Sequence, residues 1–300
     1  MRCRWNVTPK FVAPDSVEHA VELVACSDGY ETIFWGGGMS TAIMMKQGLL
    51  SPATLVGLRK VEEIKKIAVR HDGDLLLGGG ATIHELSVSP LVSELAPSLR
   101  SSAREVGNVR VRHSATLGGH LAHADPSQDV PPVLLALDAQ VALRSAAGSR
   151  TVPLHDFFVD IMQTAIRPDE LVTEVVVPAG ALSRRSAYVK FAPRSRDDYP
   201  TVGVAVSVGM SRDWRTIKAV RIAAGGVAPT AVRLTAAEDL LCKQPVEDDR
   251  IRAAGLVASE HASPWDDARG SATYKRAMLR EIVTRVVHNL TKPKEGACGI

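Results

Sequence analysis

Three glycine turns, each preceded by a short apolar run, constrain the fold of this chain more than any other feature of its sequence. Each run with its turn is typical of a strand that enters a glycine loop, at residues 32–38, 75–80 and 115–119. Glycine tolerates backbone angles that other residues avoid and lets a ligand approach the main chain closely. Successive N–H groups in such a loop form a concavity suited to phosphate oxygens. The pattern predicts either a diphosphate-binding protein or tight strand-to-helix turns without a ligand.

The common nucleotide-binding motifs are absent from these loops. A Walker A loop ends in Gly-Lys-Ser or Gly-Lys-Thr, and no glycine of this sequence is followed by that pair. The dinucleotide fingerprint needs a further glycine three residues after its second one, but Thr41 stands at that distance from Gly38 and Ile83 from Gly80. Common nucleoside triphosphatases and nicotinamide-dependent dehydrogenases are therefore disfavoured.

The size and charge of the chain exclude several other classes. Its 300 residues predict about two domains. A net charge of +3, without runs of like charge, argues against a nucleic-acid partner. The longest apolar candidate, residues 130–143, is interrupted by Asp138 and Gln140, so no membrane span is expected. The first residues lack the apolar segment of a signal peptide, and we expect a cytoplasmic location.

Neither the cysteines nor the histidines predict a metal site. The cysteines lack the paired spacing that zinc ribbons and iron–sulfur clusters require. They are Cys3, Cys26, Cys242 and Cys298. His120 and His123, with Asp125 and Asp129 beyond them, could supply zinc ligands if the segment were helical. The glycines before this segment and Pro126 after it predict a loop, so we expect no metal.

The two parts of the chain differ in the order of their predicted elements. The first part alternates helices and strands and includes one helix predicted at residues 90–106. The last part has strands and then helices, at residues 187–191, 201–208, 219–224, 231–241, 246–260 and 274–290. Strands followed by helices predict an α+β domain with its helices on one face of the sheet. The short segment 179–185 is the predicted boundary between the two parts.

Longer motifs follow one another along almost the whole chain. They are Gly-Gly-Gly-Met-Ser at 36–40, Arg-His-Ser-Ala-Thr-Leu-Gly-Gly-His at 112–120, Asp-Pro-Ser-Gln-Asp at 125–129, Val-Pro-Leu-His-Asp-Phe-Phe at 152–158, Asp-Glu-Leu-Val-Thr at 169–173 and Asp-Ala-Arg-Gly-Ser-Ala-Thr-Tyr-Lys-Arg at 267–276. In this order they resemble the FAD-binding medium subunits of molybdenum hydroxylases, a family that includes carbon monoxide dehydrogenase and xanthine dehydrogenase.

The resemblance implies an α+β fold in two parts. It predicts an FAD-binding domain of the vanillyl-alcohol-oxidase (PCMH) type at residues 1–180, divided into subdomains at about 1–57 and 58–180. A domain like the C-terminal domain of the carbon monoxide dehydrogenase flavoprotein would follow at residues 181–291. Its sheet would be covered by helices on one face, and residues 292–300 would form a tail.

The resemblance also implies where FAD would be bound. The diphosphate would lie against two backbone segments, which contain Gly36, Gly37, Gly38, Met39 and Ser40 and then Thr116, Gly118, Gly119 and His120. Asp129 would bind the ribityl or ribose region and Leu171 would lie near the adenine or the ring system. Lys190 and Tyr199 would lie near the isoalloxazine. The sequence predicts no catalytic residue in this chain.

Some of these positions keep a second interpretation. The family commonly has histidine where this chain has Met39 and asparagine where it has His120, which affects side-chain hydrogen bonds more than backbone contacts. Asp129 could be an ordinary turn residue or helix cap. Lys190 could be an exposed strand lysine, and Tyr199 could be a core residue.

The function implied by the resemblance is electron transfer. FAD on this chain would receive electrons from the [2Fe–2S] clusters of a small partner subunit and pass them to an external acceptor. A large partner subunit would hold the molybdenum cofactor, and the whole would assemble as a dimer of heterotrimers. Two other functions stay open, a stand-alone FAD-dependent oxidase or dehydrogenase and a nucleotide-binding scaffold without catalysis.

Overall fold

The computed structural model describes residues 8–27 and 31–293, and its first part is a small parallel sheet. In chain order the elements are β1 (Lys10–Val12), α1 (Val17–Ala25), β2 (Thr32–Trp35), α2 (Met39–Lys46) and β3 (Thr54–Gly57). The strands pair in parallel in the order β1-β3-β2. Parallel neighbours need crossover connections, and α1 and α2 lie in the segments between the strands. The first glycine turn therefore joins the end of a parallel strand to the start of a helix.

The second part is a mixed layer of short helices on an antiparallel sheet. Two 3₁₀ turns, Leu58–Lys60 and Glu62–Lys65, precede β4 (Ile67–Val69), β5 (Leu75–Gly78), α3 (Ile83–Val88), α4 (Pro90–Leu95), α5 (Pro97–Glu105), α6 (Val109–Ser114), α7 (Leu117–His123), α8 (Val130–Ala136), β6 (Gln140–Ser145), β7 (Gly148–Pro153), α9 (Leu154–Phe157), β8 (Phe158–Asp160), β9 (Gln163–Thr164) and β10 (Leu171–Val177). The sheet has the order β4-β5-β10-β6-β7, and β8 pairs with β9.

The third part is an antiparallel sheet followed by helices. Its elements are α10 (Ala179–Leu182), β11 (Arg185–Phe191), β12 (Val202–Met210), β13 (Thr216–Gly225), β14 (Val232–Arg233), α11 (Thr235–Leu241), β15 (Gln244–Pro245), α12 (Asp248–His261) and α13 (Ala272–Thr291). The sheet has the order β11-β12-β13-β14, with β15 paired to β13. The predicted α+β class and the predicted order of strands and helices are confirmed.

This third sheet is buried on both faces. Val204 and Val206 of β12 belong to the core beneath α11, α12 and α13. Their neighbour Ala205, with Tyr188 and Ala223, belongs to the core of the second part, where α5 and α8 pack. Side chains alternate between the two faces of a strand, so β12 reaches both cores. The prediction of helices on one face is right, and the opposite face holds the third part against the second.

The segment around the third glycine pair differs from the prediction. Residues 115–117 do not form a strand, because Thr116 is the N-cap of α7 and its hydroxyl accepts a hydrogen bond from the Gly119 N–H at 3.2 Å. Gly118 and Gly119 therefore lie in the first turn of a helix, and residues 120–123 are helical where a loop was predicted. The N-cap hydrogen bond of Thr116 stabilises the helix enough to offset the poor helix propensity of the two glycines.

One predicted helix was also wrong. Residues 90–106 form two helices, α4 and α5, because Pro97 cannot continue the helix through Ala96. The domain bounds stay predictions. Cys3, Cys298 and most of the predicted tail at 292–300 lie outside the described residues.

Among the helices at residues 8–27 and 31–293, none is both long enough and apolar enough to cross a membrane.

Candidate cofactor cleft

A cleft of about 870 Å³ lies where the three parts of the molecule meet. Its volume is within the range of roughly 300–1,000 Å³ typical of cofactor pockets. All predicted site residues except Lys190 line it, namely Gly36, Gly37, Gly38, Met39, Ser40, Thr116, Gly118, Gly119, His120, Asp129, Leu171 and Tyr199. The structure thus brings together side chains that are far apart in the sequence.

The first and third glycine segments lie directly against each other. A Cβ atom on Gly37 would lie 1.5 Å from the carbonyl oxygen of Ser114, and one on Gly36 would lie 2.6 Å from Oγ1 of Thr116. No side chain fits at such distances, so the contact between these two segments requires glycine. The close contact between the segments explains why these turns contain glycine, whether or not a ligand is bound.

The N-terminus of α2 faces the cleft without a side-chain cap. Gly38 is the N-cap, with a φ of 69°, and it has no side chain that could accept from the first-turn N–H groups. Met39 and Ser40, the first two residues of the helix, line the cleft. A helix N-terminus is favourable for an anion because its N–H groups and the helix dipole point toward it. The described lining includes one arginine, Arg167, and no lysine.

The segment from Thr116 to His120 uses its backbone differently. The N–H of Gly118 donates to the carbonyl of Gly79 at 2.7 Å, and the N–H of His120 donates to the carbonyl of Thr116 at 2.8 Å. With Gly119 bonded to the Thr116 hydroxyl, these donors are already satisfied inside the protein. The segment can present side chains and bare glycine Cα surface to a ligand, while α2 presents N–H groups.

Two buried polar atoms of the cleft have no partner among the described residues. They are Nε2 of His120 and the side-chain oxygen of Gln128, both in residues that line the cleft. Burial, with a smaller contribution from His123, lowers the pKa of His120 to about 3, so its ring is neutral at neutral pH. An unpaired buried polar atom costs about 1–3 kcal/mol, which a ligand recovers by bonding to it.

Gln128 was not among the residues predicted from the sequence to line the site. It lies between the matched motif residues Pro126 and Asp129, and it is 3% exposed. The sequence does place Gln128 just before the apolar helix Val130–Ala136, where burial is expected. A buried amide needs a hydrogen-bond partner, so this position indicated a contact with a ligand or with another part of the chain.

Asp129 belongs to a buried network behind the wall of the cleft. Its carboxylate accepts from the Tyr188 hydroxyl at 2.7 Å and from Nζ of Lys190 at 3.2 Å. The Lys190 ammonium also donates to the Glu105 carbonyl at 2.7 Å. Burial raises the pKa of Asp129 to about 6, although Lys190 and Tyr188 act to lower it. Lys190 is therefore a buried lysine, and Asp129 makes no capping bond to α8.

Leu171 and Tyr199 differ in burial. Leu171 begins β10 and is 5% exposed, within a small core that includes α1. Tyr199 is 42% exposed at the mouth of the cleft and is not a core residue. The guanidinium carbon of Arg269 lies 5.5 Å from the centre of the Tyr199 ring, a cation–π contact.

The described residues contain no group of three or more His, Cys, Asp or Glu side chains that could hold a metal ion. His120 and His123 do lie on one helix, as a zinc site would need, but no carboxylate or thiolate completes the group.

Comparison with known families identifies the chain. Residues 6–180 match the FAD binding domain in molybdopterin dehydrogenase, and residues 187–290 match the CO dehydrogenase flavoprotein C-terminal domain. The chain belongs to the FAD-binding medium subunits of the molybdenum hydroxylases. The predicted resemblance and fold are confirmed.

Individual relatives agree with this assignment. The medium subunit is 32% identical to the carbon monoxide dehydrogenase medium chain of Hydrogenophaga pseudoflava, over 94% of this chain and 97% of the relative. It is also 32% identical to the nicotine 6-hydroxylase medium subunit of Paenarthrobacter nicotinovorans, over 93% and 95%. These relatives are subunits of oxidoreductases.

Solved structures have the same fold. Carbon monoxide dehydrogenase from H. pseudoflava, in a form that lacks the Mo-pyranopterin moiety of its cofactor, superposes with a TM-score of 0.89 at 33% identity, covering 94% of this chain and 96% of that chain. Quinoline 2-oxidoreductase from Pseudomonas putida 86 gives a TM-score of 0.87 at 27% identity, covering 95% and 97%.

The cleft of this medium subunit fits FAD. The uncapped N-terminus of α2 suits a diphosphate, and the glycine backbone allows its close approach. The unpaired atoms of His120 and Gln128 suit the polar groups of a sugar chain or ring edge. No arginine clamp is needed where helix N–H groups neutralise the phosphates.

Proposed function

We propose that this chain holds FAD in the cleft, receives electrons from iron–sulfur clusters of a partner subunit, and passes them to an external acceptor. The supporting observation is the convergence, in one cleft, of an uncapped helix N-terminus with the unpaired buried atoms of His120 and Gln128. FAD supplies the redox chemistry when bound, and the protein supplies position and electrostatics.

The residues of the chain divide this work. The N–H groups at the start of α2, from Met39 and Ser40, bind the diphosphate. His120 and Gln128 orient the remainder of the cofactor through their unpaired atoms. Lys190, behind the cleft wall, donates to Asp129 and holds in place the carboxylate that lines the cleft.

The proposal includes two partners. A small subunit with [2Fe–2S] clusters would deliver the electrons, and a large subunit with the molybdenum cofactor would bind the substrate, in a dimer of heterotrimers. Support comes from the names of the relatives, which are medium chains or subunits of larger enzymes. We also propose a cytoplasmic location. The substrate would be selected on the large subunit.

The test is to purify the full chain, alone and with its partners, and to record the visible absorption spectrum and identify the released cofactor. We expect FAD in stoichiometric amount. A chain that takes up no FAD even with its partners present would contradict the cofactor proposal and favour a scaffold. Substrate turnover by the isolated chain would instead favour a stand-alone oxidase. Stoichiometric molybdenum in the isolated chain would overturn the assignment of that metal to a partner.

A further inference from the structure

The motif at residues 267–276 forms a charged loop at residues 267–271 and the first turn of α13. Asp267 accepts from the Arg269 N–H at 2.8 Å and from its guanidinium at 3.1 Å. Gly270 has a φ of 153°, which favours glycine, and an added Cβ would lie 3.0 Å from the Tyr274 ring. The loop therefore turns sharply just after Arg269.

A buried lysine fixes the loop from the other side. Lys275 is 1% exposed, and its Nζ lies 2.8 Å from the Asp267 carboxylate. It also donates to the Trp265 carbonyl at 3.0 Å. Burial acts to raise the pKa of Asp267, but the hydrogen bond from Lys275 and that from the Arg269 N–H hold it below its ordinary value. The aspartate is ionised, so it can hold the arginine.

The Arg269 side chain, held by Asp267, lies over the ring of Tyr199. The guanidinium of Arg269 is 5.5 Å from the ring centre, and the Arg269 carbonyl accepts from the Thr201 hydroxyl at 3.3 Å. Tyr199 lines the cleft at its mouth, on the loop between β11 and β12. The loop at residues 267–271 thus contacts the cleft wall at Tyr199, through the guanidinium of Arg269.

We propose that Arg269 is a positioning residue of the cleft, whose guanidinium fixes the orientation of the Tyr199 ring against the bound flavin. The inference rests on the proposed function, since it requires FAD in the cleft. It gives the motif at 267–276 a task at the cofactor site, although that motif lies in the C-terminal part of the chain.

The test uses four variants of the full chain. R269Q removes the cation, R269K keeps it, and Y199L removes the ring. R276Q is the matched control, because Arg276 belongs to the same motif and, among the described residues, its guanidinium makes one hydrogen bond, to the Ala262 carbonyl at 3.4 Å. For R269Q we expect FAD affinity to fall by at most about two- to fivefold, the factor for one partly exposed cation–π contact, because Arg269 acts on FAD only through the Tyr199 ring. Bound-flavin fluorescence should rise, because the Tyr199 ring no longer quenches it in a fixed position.

A double-mutant cycle separates positioning from general structure. R269Q should have no further effect on flavin fluorescence in the Y199L background, and R269K should keep most of the wild-type value. The proposal would be overturned if R269Q changed flavin fluorescence equally with and without the Tyr199 ring. It would also be overturned if R269Q and R276Q changed flavin fluorescence equally.

The contact can also be measured without the cofactor. In chain labelled with 3-fluorotyrosine, the ¹⁹F resonance of Tyr199 should move and broaden in R269Q and stay unchanged in R276Q. An unchanged resonance in R269Q would overturn the proposed contact. If the wild-type chain takes up no FAD while the resonance does move, the proposed function has failed and so has the flavin role, but Arg269 still holds Tyr199.

Discussion

The two glycine segments of the cleft resemble each other in sequence and differ in what they offer a ligand. At residues 36–40 the helix N-terminus has no side-chain cap, and its first residues line the cleft. At residues 116–120 a threonine caps the helix and the N–H groups are bonded inside the protein. The second segment offers the unpaired side chain of His120, with Gln128 beyond it. One segment therefore provides donors from its backbone, and the other provides side-chain atoms.

The largest effect is expected from alanine at the contact between the segments. In G37A the new Cβ meets the Ser114 carbonyl at 1.5 Å, and the backbone must move. We expect a loss of more than about 3 kcal/mol in the free energy of unfolding, measured by urea titration.

Two further variants calibrate that loss. In G118A the Cβ lies 2.9 Å from the Gly79 carbonyl, and we expect a loss of about 1–3 kcal/mol, partly offset by better helix propensity. Gly180 has open space around its Cβ position, so G180A should be neutral or slightly stabilising. If G37A costs no more than G180A, the described contact between the segments is wrong.

The next largest effect concerns His120, which makes the free energy of unfolding depend on pH. Its pKa is about 3 in the folded chain against 6.5 for an ordinary histidine, so unfolding takes up a proton between these values. The stability from this group is fully present above pH 6.5 and is lost as the pH falls toward about 3. Between about pH 7.5 and 4.5 we expect the wild type to lose about 2–3 kcal/mol through His120.

H120N should remove the contribution of His120 to the pH dependence of the free energy of unfolding, as measured by urea titrations at both pH values. Asp129 acts in the opposite direction over part of the range, because its raised pKa of about 6 stabilises the fold at low pH and that stability is lost as the pH rises through 6. The comparison is therefore between H120N and wild type at each pH. H155N, at an exposed histidine that does not line the cleft, is the control variant. A pH dependence unchanged in H120N would show that the ring is not buried and neutral.

These differences mark the limit of what the sequence could predict. The residues at 32–38 predicted a strand that enters a glycine turn, and both are present, because apolar runs and glycine turns are local signals. The helix at 117–123 was missed because the cap at Thr116 outweighs two glycines. The burial of Lys190 and the lack of a hydrogen-bond partner for the side-chain oxygen of Gln128 depend on neighbours from distant parts of the chain. A local sequence pattern cannot predict such neighbours.

A charge at the start of α2 should have effects of opposite sign on stability and on binding. S40D places a carboxylate in the first turn of the helix, where it should stabilise the FAD-free chain by about 0.3–1 kcal/mol. The same charge repels a diphosphate, and we expect FAD affinity to fall about tenfold. S40N, similar in shape and uncharged, is the control for titration of the chain with FAD. An equal loss of affinity in both variants would place the diphosphate elsewhere.

The smallest effect concerns Gln128 and tests the side-chain role of the second segment. Q128L replaces an amide whose buried oxygen is unpaired with an apolar group of similar size, so the FAD-free chain should gain about 1 kcal/mol in urea titrations. Loss of the hydrogen bond to the cofactor should lower FAD affinity about fivefold.

Ser207 provides the matched control for Gln128. Its hydroxyl is also buried without a partner among the described residues, but it lies in β12, away from the cleft lining. S207A should therefore gain stability as Q128L does, while FAD affinity stays at the wild-type value. If Q128L binds FAD as tightly as S207A, the Gln128 amide does not contact the cofactor, and the side-chain contribution of this region reduces to His120. If Q128L loses both stability and affinity, the amide has a partner in the free chain.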